Sequence, residues 1–196
     1  MTEPRQTISL AYRSDVAEVT MSHWGVGRLN SRTKYLRTTP VAPCIAVVLY
    51  DKEHRIGGIA HCPPGDDISV GVERLVQRIC TDGGTQPYRL KAHIVGGRDR
   101  GSGSPGPMMV ADVEKVLDRH RIEIVSKDVF GHDVRAIALD LENGELVNYV
   151  HDEATLRAVF RNVDVEMIPL QRKGSWYLQE LGDTQQPDGQ DGKKSR

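Results

Sequence analysis

The chain has 196 residues, 38% of them hydrophobic, and its 26 Lys and Arg against 27 Asp and Glu leave a formal net charge of −1. That length suits one well-buried domain with tails rather than two domains. So balanced a charge gives no electrostatic reason to expect nucleic acid or an anionic membrane surface as partner. The longest apolar stretch, residues 41–50, is about half of a membrane span, and the first residues, MTEPRQTISL, lack a signal-peptide core.

In chain order, residues 1–17 read as a polar N-terminal arm, loose except for a short apolar patch at 8–12. Residues 18–21 predict a short strand, and 22–27 (SHWGVG) a glycine-containing turn in which Trp24 packs or forms a rim. An extended run over 34–39 carries Thr38. After the loop Pro40-Val41-Ala42-Pro43 comes Cys44, then 45–50 (IAVVLY), β-branched enough for a buried strand. A polar turn at 51–54 leads into a second strand, 55–61 (RIGGIAH). Such a hairpin brings its ends together, so Cys44 and His61 are expected at one edge of the sheet.

Beyond it, two prolines and a glycine make 62–67 a loop. Residues 69–80 have helical periodicity, with Ser69 as N-cap, and Asp82-Gly83-Gly84 as the stop. A half-buried strand at 88–95, a glycine-rich loop at 96–107, a helix at 110–120 and a strand at 122–126 follow. Strands at 135–139 and 145–150 form a hairpin around Asn143-Gly144. A further helix is predicted at 152–160 and a strand at 163–170. The segment 171–196 reads as a C-terminal tail, disordered from about residue 184 by composition.

Thr38, Cys44 and His61 carry the chemistry. A thiolate is a nucleophile, a neighbouring imidazole moves its proton, and a third group fixes the imidazole's orientation. The bland alternative is a small core cysteine and a hydrogen-bonded strand-end histidine.

The stretch resembles the active-site region of the chemoreceptor glutamine deamidases, the CheD family, with their pattern T-x-GLGSC, hydrophobic strand, turn, GG-x-AH. Thr38, Cys44 and His61 match its triad, with Gly57, Gly58 and Ala60 in place, and the likeness extends over about 18–150. The elements predict a single CheD-like α/β domain over 18–170, the helix and strand at 150–170 being additions without a family counterpart, with a mixed-strand sandwich-like core and two main helices on its outer face. The resemblance implies a cytoplasmic bacterial enzyme that converts glutamine side chains of methyl-accepting chemoreceptors to glutamate. Cys44 would be nucleophile, His61 general acid and base, Thr38 its orienting group, with no metal or organic cofactor and a CheC-type phosphatase as a possible partner. Where the family has a glycine-serine loop, this chain has Pro40 to Pro43. Proline removes an N–H, which leaves the Cys44 N–H as the expected oxyanion donor.

Two rivals remain open. One is the same fold kept as a binding module in chemotaxis signalling, with its active-site loop altered. The other takes Gly101, Gly103 and Gly106 as a nucleotide-binding G-x-G-x-x-G, which Pro105 and Pro107 weaken by removing N–H donors. No ligand spacing for a metal is present. Cys62, beside His61, faces away from the pocket if its strand continues, or can bridge to Cys44 if the prolines turn the chain. Cys80 is expected in the core.

Overall fold

The computed structural model describes residues 5–30, 32–150 and 165–171. Eleven strands and two α-helices are assigned among them: β1 Thr7–Ile8, β2 Val16–Glu18, β3 His23–Arg28, β4 Tyr35–Val41, β5 Ile45–Asp51, β6 Ile56–Cys62, α1 Ile68–Gly83, β7 Lys91–Gly96, α2 Gly106–Arg119, β8 Glu123–Val129, β9 Arg135–Asp140, β10 Leu146–Tyr149 and β11 Met167–Pro169, with a short 3-10 helix at Pro87–Arg89 where the strand at 88–95 was expected to begin. They form a five-stranded mixed sheet, β1-β10-β9-β4-β2, and a six-stranded mixed sheet, β11-β3-β6-β5-β7-β8.

The alternation of β5 explains the layering. Ile45, Val47 and Leu49 join Ile68, Val72, Leu75 and Ile79 of α1 and Val110, Val113 and Leu117 of α2 in one core. Ala46, Val48 and Tyr50, on the other face, meet Leu36, Ile137 and Leu139 of the five-stranded sheet in a second. A strand buried on both faces reads as a continuous apolar run. The expected sandwich with two helices on its outer face is therefore what forms. Gly58 lets α1 sit close, since a Cβ there would lie 2.6 Å from Leu75.

Several local expectations need correction. The N-terminal segment is not loose over its described residues: Thr7–Ile8 pairs in parallel with β10. Leu10 and Val16 are buried with Ala138, Val147 and Tyr149 on the outer face of the five-stranded sheet. That face carries Tyr35 and Tyr149 beside the buried Arg37, which pairs with Glu18, and this segment helps to cover it. Residues 23–28 are strand β3, not a turn, pairing with β6 from His23↔His61 to Arg28↔Ile56. The glycines read there as turn signals permit close approach instead; a Cβ at Gly27 would lie 2.9 Å from Leu36. Helix α1 is capped by Asp67, whose side chain accepts from the Val70 N–H, rather than by Ser69. The strand expected at 163–170 is β11, while the helix at 152–160 and residues 172–196 lie outside the described residues.

Candidate active site

Thr38 and His61 come from different sheets and meet between them. Ala60 and Cys62 belong to the helix-side core, so the alternation of β6 turns His61 toward β4. Leu36 faces inward too, which puts Thr38 on the same side. Thr38 Oγ1 lies 2.7 Å from His61 Nδ1 and 2.6 Å from the Val19 carbonyl oxygen. A carbonyl only accepts, so the single hydroxyl proton goes to Val19 and the hydroxyl accepts from His61 Nδ1–H. That fixes the tautomer: the lone pair sits on Nε2, which is buried and has no hydrogen-bond partner among the described residues. Burial pulls the His61 pKa down to about 4, so the ring is neutral.

Cys44 precedes β5 by one residue, and Ala46, two residues on, lies opposite His61 in the β5–β6 ladder. The proline loop that carries it is held from outside. Gly97 N–H donates to the Cys44 carbonyl and Arg98 N–H to the Ala42 carbonyl, both at 2.8 Å. Val41 and Ala42 are buried while Pro40 and Pro43 face outward, where a missing N–H costs nothing. Gly96 is required at this clamp. Its φ is +103°, and a Cβ would stand 2.2 Å from the Cys44 carbonyl oxygen.

The Cys44 thiol pKa is raised, by burial first and by the Asp66 carboxylate as a lesser cause, against its own backbone N–H, which favours the thiolate. With His61 lowered and Cys44 raised, the resting pair is neutral thiol and neutral imidazole, not an ion pair. No hydrogen bond joins the Cys44 sulfur to His61 among the described contacts. The sulfur instead lies 3.8 Å from Met21 Sδ.

The strand expected at 18–21 is instead β2, Val16–Glu18, and Met21 lies in the turn that follows it. Its anchors are the Val19 carbonyl on Thr38 and, on the other side, Ser22, whose N–H reaches the His61 carbonyl at 2.9 Å and whose carbonyl accepts from Leu170 N–H at 2.8 Å. Gly96 and Gly97 were read only as loop residues. A Gly-Gly pair leaving β7, the neighbour of the strand that follows Cys44, was the available signal.

The remaining candidates do not gather here. Cys62 ends β6 on the helix side, fully buried, with its thiol pKa strongly raised by that burial. This is the facing-away arrangement, and all three cysteines are free thiols. Cys80 packs partly buried against the helix-side core. Gly101 and Gly103 have open surroundings, whereas Gly106 packs on Gly97, where a Cβ would be 2.1 Å from its carbonyl oxygen. Strand β7 ends at Gly96, well before Gly101, so these glycines do not form a strand-to-helix turn. Among the described residues no group of three or more His, Cys, Asp or Glu is placed to hold a metal, and no helix is long and apolar enough to cross a membrane.

Residues 68–148 match the family model described as "CheD chemotactic sensory transduction". The match begins downstream of Thr38, Cys44 and His61. "Probable chemoreceptor glutamine deamidase CheD" of Geobacillus kaustophilus is 33% identical, over 57% of this chain and 79% of the relative. "Chemoreceptor glutamine deamidase CheD" of Bacillus licheniformis is 31% identical, over 57% of this chain and 78% of the relative. Among solved structures, Bacillus licheniformis hypothetical protein YfiH aligns with a TM-score of 0.43 at 13% identity, over 61% of this chain and 64% of that one. With a relative one-third identical over more than three-quarters of that relative's length, the chain belongs to the CheD family.

Proposed function

We propose that this protein is a chemoreceptor glutamine deamidase that works through a Cys44 thioester. The observation that carries the reading is the hydroxyl–imidazole pair of Thr38 and His61, which leaves Nε2 as a bare base next to the loop of the only thiol on this side of β6 among the described residues. The relatives named as deamidases supply the substrate class.

Cys44 attacks the carboxamide carbon of a glutamine side chain. Because both partners rest neutral, His61 Nε2 takes the S–H proton as the S–C bond forms. The Cys44 backbone N–H is the donor assigned to the developing oxyanion, since Pro43 has none to give. His61 then returns its proton to the leaving nitrogen, the C–N bond breaks, and ammonia departs. Water, activated by His61, hydrolyses the thioester and gives glutamate and the free thiol. Thr38 holds the ring throughout. No step calls for a metal or organic cofactor.

Ammonia release from a panel of chemoreceptor cytoplasmic fragments tests the proposal. Wild-type protein should release ammonia from at least one fragment and Cys44→Ala from none. A wild type inactive on every fragment would favour the binding-module reading, and equal release by both proteins would remove Cys44 from the mechanism.

A further inference from the structure

Cys44 is only 4% exposed, yet the Met21 side chain against it is 54% exposed, a large apolar group left in solvent. The Cys44 sulfur and Met21 Sδ are 3.8 Å apart. A thioether only accepts, so the thiol proton points to Met21 while His61 Nε2 stands unpartnered. We propose that Met21 is the removable cover of the nucleophile: the side chain a substrate glutamine displaces on entry, and one against which its aliphatic stem then packs. The proposal rests on Cys44 being the nucleophile.

The surroundings dictate how the cover opens. Backbone movement at 19–22 is constrained at both ends, because the Val19 carbonyl holds Thr38 Oγ1 and the Ser22 N–H holds the His61 carbonyl. Pulling the turn away would release the group that orients His61. The Met21 side chain has three rotatable bonds to swing instead, and methionine adapts its shape at little cost. Since more than half of it is in water already, little further apolar surface is exposed on opening. Displacement also frees the Cys44 S–H to turn toward His61, so substrate entry and activation of the thiol become one event.

The test is the alkylation rate of Cys44 by iodoacetamide, followed peptide by peptide in the full-length protein. Met21→Ala should label Cys44 about tenfold faster than wild type, the gain expected if uncovering the sulfur lowers its pKa by one unit. Met21→Leu, which keeps the bulk, should stay near the wild-type rate. An unchanged rate in Met21→Ala, or equal acceleration in both variants, would overturn the proposal. The labelling does not depend on deamidation, so a protein that releases no ammonia still reports on the cover.

Discussion

At Thr38 a single hydroxyl proton decides which nitrogen of His61 is basic. Thr38→Val keeps the shape but strands the Val19 carbonyl and His61 Nδ1 in a buried place, a cost of about 1–3 kcal/mol. Deamidation should fall about a hundredfold, toward the lower end of what a positioned general base contributes. Thr38→Ser, which restores the hydroxyl, should recover most of it, and a Thr38→Val enzyme with normal activity would show that the tautomer is set otherwise. The neutral resting pair makes a second forecast at this scale. Alkylation of Cys44 should keep rising from about pH 7 to about pH 9, because burial holds its thiol pKa above the ordinary range. A rate already level at neutral pH would mean a preformed thiolate–imidazolium pair.

The elements around the site act as a clamp, with β7 and its Gly-Gly exit gripping the Cys44 loop from the side opposite β6. Gly96→Ala forces a Cβ into the Cys44 carbonyl at a φ that side chains avoid. Gly101→Ala meets the same conformational penalty, about 1–3 kcal/mol, in open space. Gly96→Ala should therefore lower Tm more than Gly101→Ala and abolish ammonia release, which Gly101→Ala should preserve. Equal effects of the two would mean that the clamp does not matter.

Over the whole molecule, the N-terminal segment is a structural cover. Leu10→Ala should cost about 2–5 kcal/mol, as buried leucine truncations do, measured by urea unfolding; a neutral effect would mean that the segment is dispensable. The buried histidines impose a pH dependence. His61 and His93 are held at about 4 in the fold, by burial above all and, for His93, by Arg5 as well. Between that value and the ordinary 6.5 the unfolded chain binds protons the folded chain does not. Stability should thus be lost as pH falls from about 6.5 toward about 4, by up to about 1.4 kcal/mol per pH unit for His61. His61→Gln should flatten the slope, and an unchanged slope would place the proton uptake elsewhere. Much of this architecture was legible. The β5–β6 hairpin announced itself through its β-branched run, and both helices through their apolar spacing. The Thr38–His61 contact was not legible from spacing alone, because it joins two sheets, and only the family pattern named it. Strand β3 was hidden by glycines that serve close packing rather than turning. The apolar patch at 8–12 was visible, but nothing in so short a run showed that Leu10 and Val16 would dock on the five-stranded sheet.

The thioester on Cys44 is the central claim, and hydroxylamine interception tests it most directly. In a reaction with a chemoreceptor fragment, hydroxylamine attacks an acyl-enzyme and leaves a hydroxamate at the target glutamine, read by mass spectrometry of the fragment. Wild type should give hydroxamate alongside glutamate, and Cys44→Ser should give neither at a comparable rate. Glutamate alone from wild type, at every hydroxylamine concentration, would mean that water attacks the carboxamide without the thiol.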